Sequence, residues 1–89
     1  MKRVAGEAFV LDSYAVLAYL QAEPEGTRVV ELLRRAEAGE ASLAMSVVNL
    51  GEVLYMTERR RGTDAVEEVL TALQRLPVSY VAADISAAR

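Results

Sequence analysis

One pattern, occurring twice, constrains the fold most: a short, largely apolar run stops at a residue suited to capping a helix, and a helical stretch follows at once. Ala8-Phe9-Val10-Leu11 is the first run and ends at Asp12-Ser13. Ser42-Leu43-Ala44-Met45 is the second and ends at Ser46. A brief apolar run without alternation fits a central parallel strand covered on both faces. Asp and Ser suit the junction because their side-chain oxygens accept from the unpaired N–H groups of a first helical turn. Strands alternating with helices along the chain imply a parallel sheet with right-handed crossovers.

The rest of the chain fits that scheme. Tyr14 to Gln21 reads as a helix, and Glu23-Pro24-Glu25-Gly26 as a turn whose proline and acids suit the opening of another. Val29, Val30, Leu32, Leu33 and Ala36 give the second helix an apolar stripe, and Gly39 stops it. A third helix, capped by Ser46, runs to Arg61 and ends at Gly62; Thr63 caps a fourth, with Val66, Val69, Leu70 and Leu73 on one side. Pro77 halts that helix, Val78 to Ala82 forms a third strand, and Asp84 caps the opening of a further helix up to Arg89. The reading is a single α/β domain over residues 1–89, in the order β-α-α-β-α-α-β-(α). In parallel sheets ligands bind beyond the carboxyl ends of the strands. That rule selects two junctions, Leu11-Asp12-Ser13 and Met45-Ser46.

Composition narrows the chemistry. The 89 residues contain no histidine and no cysteine. Ser-His and Cys-His nucleophile systems, imidazole- or thiolate-ligated metals and disulfides are therefore excluded. Catalysis would have to run on carboxylates, hydroxyls, lysine, arginine or a metal held by oxygen. The net charge of −3 gives no global basic field for nucleic acid. No apolar run approaches the ~18 residues of a membrane span, and Met1-Lys2-Arg3 is not followed by the apolar core of a signal peptide. A cytoplasmic protein is expected. With 53% apolar residues in so short a chain, the surplus suggests a sheet buried on both faces or a subunit that covers part of itself with another. A domain of this size removes only about 60% of its unfolded surface from water.

Asp12 directly follows the first strand, where a carboxylate points into the crevice. Position alone does not choose between that role and simple capping of the next helix by Asp12 and Ser13. A strand-end aspartate also suits phosphoacceptor and haloacid-dehalogenase-type proteins, but the latter want a second aspartate where Tyr14 stands. Glu52 has Val48, Asn49, Tyr55 and Met56 as helical neighbours, an apolar surround in which cation binding would offset the cost of a lone carboxylate. The alternative is a rim glutamate paired with Arg59 or Arg60. Ser46 is most simply an N-cap, and Asn49 is either an orienting partner of Glu52 or a first-turn polar residue. The Arg59-Arg60-Arg61 run complements a helix dipole; its functional reading is a contact to phosphates. Tyr14, Tyr19, Tyr55 and Tyr80 read as core and rim aromatics rather than base-stacking platforms.

The segment from Phe9 to Leu20, with its strand ending in Asp12-Ser13, resembles the opening of PIN-domain proteins. Ser46-Val47-Val48-Asn49-Leu50-Gly51-Glu52-Val53 is similar to the second motif of that family, and Leu76-Pro77-Val78 onward to its third-strand region. The resemblance is closest to the VapC-type toxins. It implies a three-layer sheet-and-helix domain of strand order 3-2-1-4-5, a group of four acids around Mg²⁺ or Mn²⁺, and endonucleolytic cleavage of RNA. Carried over, Asp12 and Glu52 are the catalytic, metal-binding acids; Ser13 and Ser46 support the site, and Asn49 orients Glu52. A cation between carboxylate and phosphate would let an acidic protein act on RNA.

The third and fourth acids of the family pattern would follow Arg89, and Asp84 matches a helix cap rather than either of them. The expectation is thus an incomplete domain of about three strands, with impaired catalysis. It would be a fragment, a truncated product or a self-associating unit whose first strand lies at an edge. Expected partners are RNA, a cognate antitoxin and a second copy in a homodimer or larger assembly, with no membrane. Whether the chain is itself a catalyst stays open. The alternative is an inactive PIN-like module that binds its antitoxin or its own kind.

Overall fold

The computed structural model describes residues 6–82. Strand β1 (Glu7–Val10) leads into helix α1 (Ser13–Leu20), and a short 3-10 turn at Pro24–Gly26 leads into α2 (Thr27–Glu37). Strand β2 (Ala41–Ser46) is followed by α3 (Val47–Arg61), α4 (Thr63–Gln74) and β3 (Val78–Val81). The expected order β-α-α-β-α-α-β is therefore present. The expected helix opening at Asp84 lies outside the described residues.

All three strands are parallel and lie in the order β1-β2-β3. Phe9 is in register with Leu43, and Leu43 with Val78, so these residues share one face of the sheet. On that face Ala41, Leu43 and Met45 are buried, whereas Ser42 between them is exposed. The fold thus has one buried and one open sheet face. Growth of the sheet in a single direction accounts for this, because successive right-handed crossovers place their helices on the same side. Of the expected layers, the described residues supply the sheet and one layer of helices.

The core lies between those layers. Leu43 and Met45 from β2 meet Leu32 and Leu33 of α2, Val53 of α3 and Leu73 of α4. At the β1 edge, Arg35 of α2 binds Glu7 at 2.8 Å, and the guanidinium groups of Arg28 and Arg35 lie 5.7 and 5.5 Å from the Phe9 ring centre. Gly26 is buried because a Cβ there would meet the backbone of Ala18 and Tyr19 at under 3 Å. The turn can rest against α1 only without a side chain.

Several local expectations are corrected. Val10 is 77% exposed, so the first strand is not covered on both faces; Leu11, just past its end, is the residue of that run that enters the core. Val30 is exposed while Val29, Leu32 and Leu33 are buried, which narrows the stripe of α2. Thr63 is the first residue of α4 rather than its cap: Gly62, at φ 90°, ends α3 and starts α4, and no side chain caps the junction. One residue in the left-handed region turns the chain without an intervening loop.

Candidate functional site

The carboxyl ends of β1 and β2 open toward the N-termini of α1 and α3. Asp12 keeps an extended backbone there, and its Oδ1 accepts from the backbone N–H of Ala15 at 2.8 Å. The capping role is real, and it fixes the carboxylate in place. At the equivalent junction Ser46 accepts from the backbone N–H of Asn49 at 3.0 Å and caps α3. Both capping expectations hold.

A side-chain hydrogen bond links the two helices that follow the junctions: the Ser13 hydroxyl donates to Glu52 Oε1 at 2.8 Å, from α1 across to α3. Ser13 is 39 positions from Glu52 and immediately follows Asp12. The structure therefore brings Asp12, Ser13 and Glu52 to one end of the sheet. Glu52 itself is exposed, which corrects the expectation that its carboxylate is withdrawn from water. Its helical neighbours Val48 and Tyr55 are 57% and 56% exposed, so the apolar company is present but is not a burial site. Pairing of Glu52 with Arg59 or Arg60 does not occur either.

The arginine run separates. Arg59 donates to the Tyr55 hydroxyl at 3.1 Å and lies 5.8 Å from that ring's centre. Arg60 donates to the amide oxygen of Gln21 at 3.0 Å once that amide is oriented to suit its neighbours. Arg61 faces Glu68 at 3.6 Å. Arg59 is thus the member held beside the Glu52 face of α3.

Next to the Ser13–Glu52 bond is an open cavity of about 330 Å³, lined by those two residues and by Tyr14, Leu17, Tyr55 and Met56. A smaller hollow of about 220 Å³ shares Tyr14, Leu17 and Met56 and runs on to Gln21, Glu23 and Arg60. Tyr14, at 77% exposed, and Tyr55 are the residues that sequence reasoning passed over as rim or core aromatics. Tyr19 and Tyr80 do pack against the core as expected. The available signal was spacing: Tyr14 adjoins Ser13, and Tyr55 falls one turn beyond Glu52 with Arg59 one turn further.

Chemically, the arrangement offers hard oxygen donors. Asp12 and Glu52 each use one carboxylate oxygen in the bonds above and have a second with no hydrogen bond among the described residues. Carboxylate oxygens are the donors that Mg²⁺ and Mn²⁺ prefer, and Mg²⁺ can be held through one or two of them with water and phosphate completing the shell. Among the described residues no group of three or more histidine, cysteine, aspartate or glutamate side chains gathers closely enough to hold a metal alone. No helix among them is long and apolar enough to cross a membrane. Compared with known proteins, the chain matches the family model of the PIN domain over residues 9–89. No curated protein and no solved structure matches it.

Proposed function

The chain belongs to the PIN-domain family, and on that premise we propose that it is a divalent-metal-dependent endoribonuclease of the VapC toxin type, with Asp12 and Glu52 as metal-binding acids. A nuclease-type activity follows from the family; the RNA substrate, the toxin role and the residue roles are our reading. The observation that carries it is the Ser13–Glu52 hydrogen bond. It ties Glu52 to the residue that follows the strand-end Asp12, at the end of the sheet where parallel sheets bind their ligands.

Each supporting residue then has a defined task. The Ala15 N–H holds Asp12 in one rotamer, and Ser13 does the same for Glu52. Ser46 and the Asn49 backbone fix the first turn of α3, on which Glu52 depends for its position. Arg59 supplies positive charge for a phosphate. Mg²⁺ or Mn²⁺, when bound, supplies hydroxide from water at neutral pH and neutralises charge developing on the phosphate. A cytoplasmic location and a cognate antitoxin belong to the same proposal.

The test is cleavage of single-stranded RNA in Mn²⁺ by the purified chain. Cleavage that stops with EDTA and falls to background in Asp12→Asn is expected. The second reading, an inactive PIN-like module acting through antitoxin binding or self-association, draws on two observations. Among the described residues no group of three or more acids gathers to hold a metal, and Val47, Val48, Tyr14 and Tyr55 leave apolar surface exposed near Glu52. RNA that stays intact after long incubation in Mn²⁺, with the protein folded, would decide for that module.

A further inference from the structure

We propose that Tyr14 and Tyr55 form a holding site for a nucleobase of single-stranded RNA, next to the scissile phosphate. The inference rests on the nuclease reading and adds to it how the substrate is held. Both rings are largely exposed, on different helices, yet they line the same cavity of about 330 Å³ as Ser13 and Glu52. That volume is at the small end of ligand sites and suits one planar group rather than folded RNA. Leu17 and Met56 give it an apolar floor, and the Ser13–Glu52 pair gives it a polar rim.

Exposed aromatic rings are costly to leave in water, and single-stranded nucleic acid uses such rings as stacking surfaces. Tyr55 is also held in position. Arg59 bonds its hydroxyl at 3.1 Å and sets its guanidinium 5.8 Å from the ring centre. The ring is 56% exposed and so offers a face to a base, with the guanidinium beside it for the adjoining phosphate. A base stacked here would carry its phosphate toward Glu52, which lines the same cavity. The net charge of −3 gives the protein little non-specific hold on RNA, so stacking has to supply a large share of substrate affinity.

The experiment measures fluorescence anisotropy of a labelled single-stranded oligoribonucleotide with the intact chain, with Ca²⁺ replacing Mn²⁺ to suppress cleavage. The same oligonucleotide with abasic sugars is the control. Tyr14→Ala and Tyr55→Ala should each weaken binding of the base-bearing strand by about tenfold or more. Neither should change binding of the abasic strand, and Tyr14→Phe, which keeps the ring, should bind as the parent does. Tyr14→Leu and Tyr55→Leu, which keep contact with the apolar floor, should behave like the alanine variants and keep the test readable if those fold poorly. The chain has no tryptophan, so tyrosine emission gives a second readout: RNA should quench it in the parent and less in the leucine variants. Unchanged affinity in the variants, with RNA still cleaved in Mn²⁺, would overturn the holding site and leave the nuclease standing. Equal losses on base-bearing and abasic strands would also overturn it. So would a fall in sedimenting mass at unchanged RNA affinity, which would assign the two rings to an interface between copies. A parent that neither binds nor cleaves RNA would remove both readings together.

Discussion

At Asp12 one side chain has two tasks, and substitution can separate them. As a cap it needs only an oxygen that accepts from Ala15; as a metal ligand it needs a charge. Asparagine caps as well as aspartate does, whereas alanine at a cap costs about 0.5–2 kcal/mol. Asp12→Asn should therefore melt within a few tenths of a kcal/mol of the parent, and Asp12→Ala should lose the larger amount in urea titration. Mn²⁺ should raise the melting temperature of the parent and not of Asp12→Asn, since only a ligand bound to the folded state stabilises it. Equal destabilisation by both variants would refute the division. Both roles of Asp12 were legible in the sequence, because position after a strand and before a helix implies each. Glu52 was less legible. Its neighbours Val48 and Tyr55 are apolar, and so are Leu50, Val53 and Leu54 on the other side of the helix. Periodicity could not tell which side met the sheet. Packing decided it: Val53 is fully buried and Glu52 stays outside with Val48 and Tyr55.

Among the elements, the strand-cap-helix junctions were the most legible, because a capping side chain and the end of an apolar run fall on the same residues. The α3–α4 boundary was not. Gly62 and Thr63 are both plausible boundary residues, and only the backbone at φ 90° shows that the glycine serves both helices. The tie between α4 and β3 was invisible to pattern altogether. There the Tyr80 hydroxyl donates to the Leu73 carbonyl at 2.9 Å, and burial holds its pKa above the ordinary 10.0. The folded state thus keeps this proton more tightly than the unfolded chain does. Its contribution is complete below about pH 10 and is lost as pH rises through the folded value. Tyr80→Phe should cost about 0.5–1.5 kcal/mol at neutral pH, and its stability should fall less steeply than the parent's in alkali. Urea midpoints collected from pH 8 to 11 would test this, and parallel alkaline limbs would count against it.

For the whole molecule, topology places the site and the exposed surface together. The sheet grows in one direction from β1, so β1 is an edge strand among the described residues and Asp12 lies at its carboxyl end. The sheet face away from the helices carries Val10 and Val81, at 77% and 48% exposed, among small residues such as Ala44 and Ser79. An exposed edge with apolar side chains beside it favours pairing with another chain, and lysine on such an edge is a common way to prevent it. Self-association is therefore expected, with β1 at its centre. The average mass in sedimentation equilibrium should rise with protein concentration, and Val10→Lys should return it toward the monomer. Because Val10 is exposed, that substitution should leave the melting curve of the dilute protein within about 0.5 kcal/mol of the parent. The Ser13–Glu52 pair lies on α1 and α3 rather than on the strand edge, so the lysine variant should also keep whatever cleavage the parent shows. A parent mass independent of concentration would remove the β1 edge as an interface. Loss of cleavage in a folded Val10→Lys monomer would instead mean that the site is completed only when two chains meet.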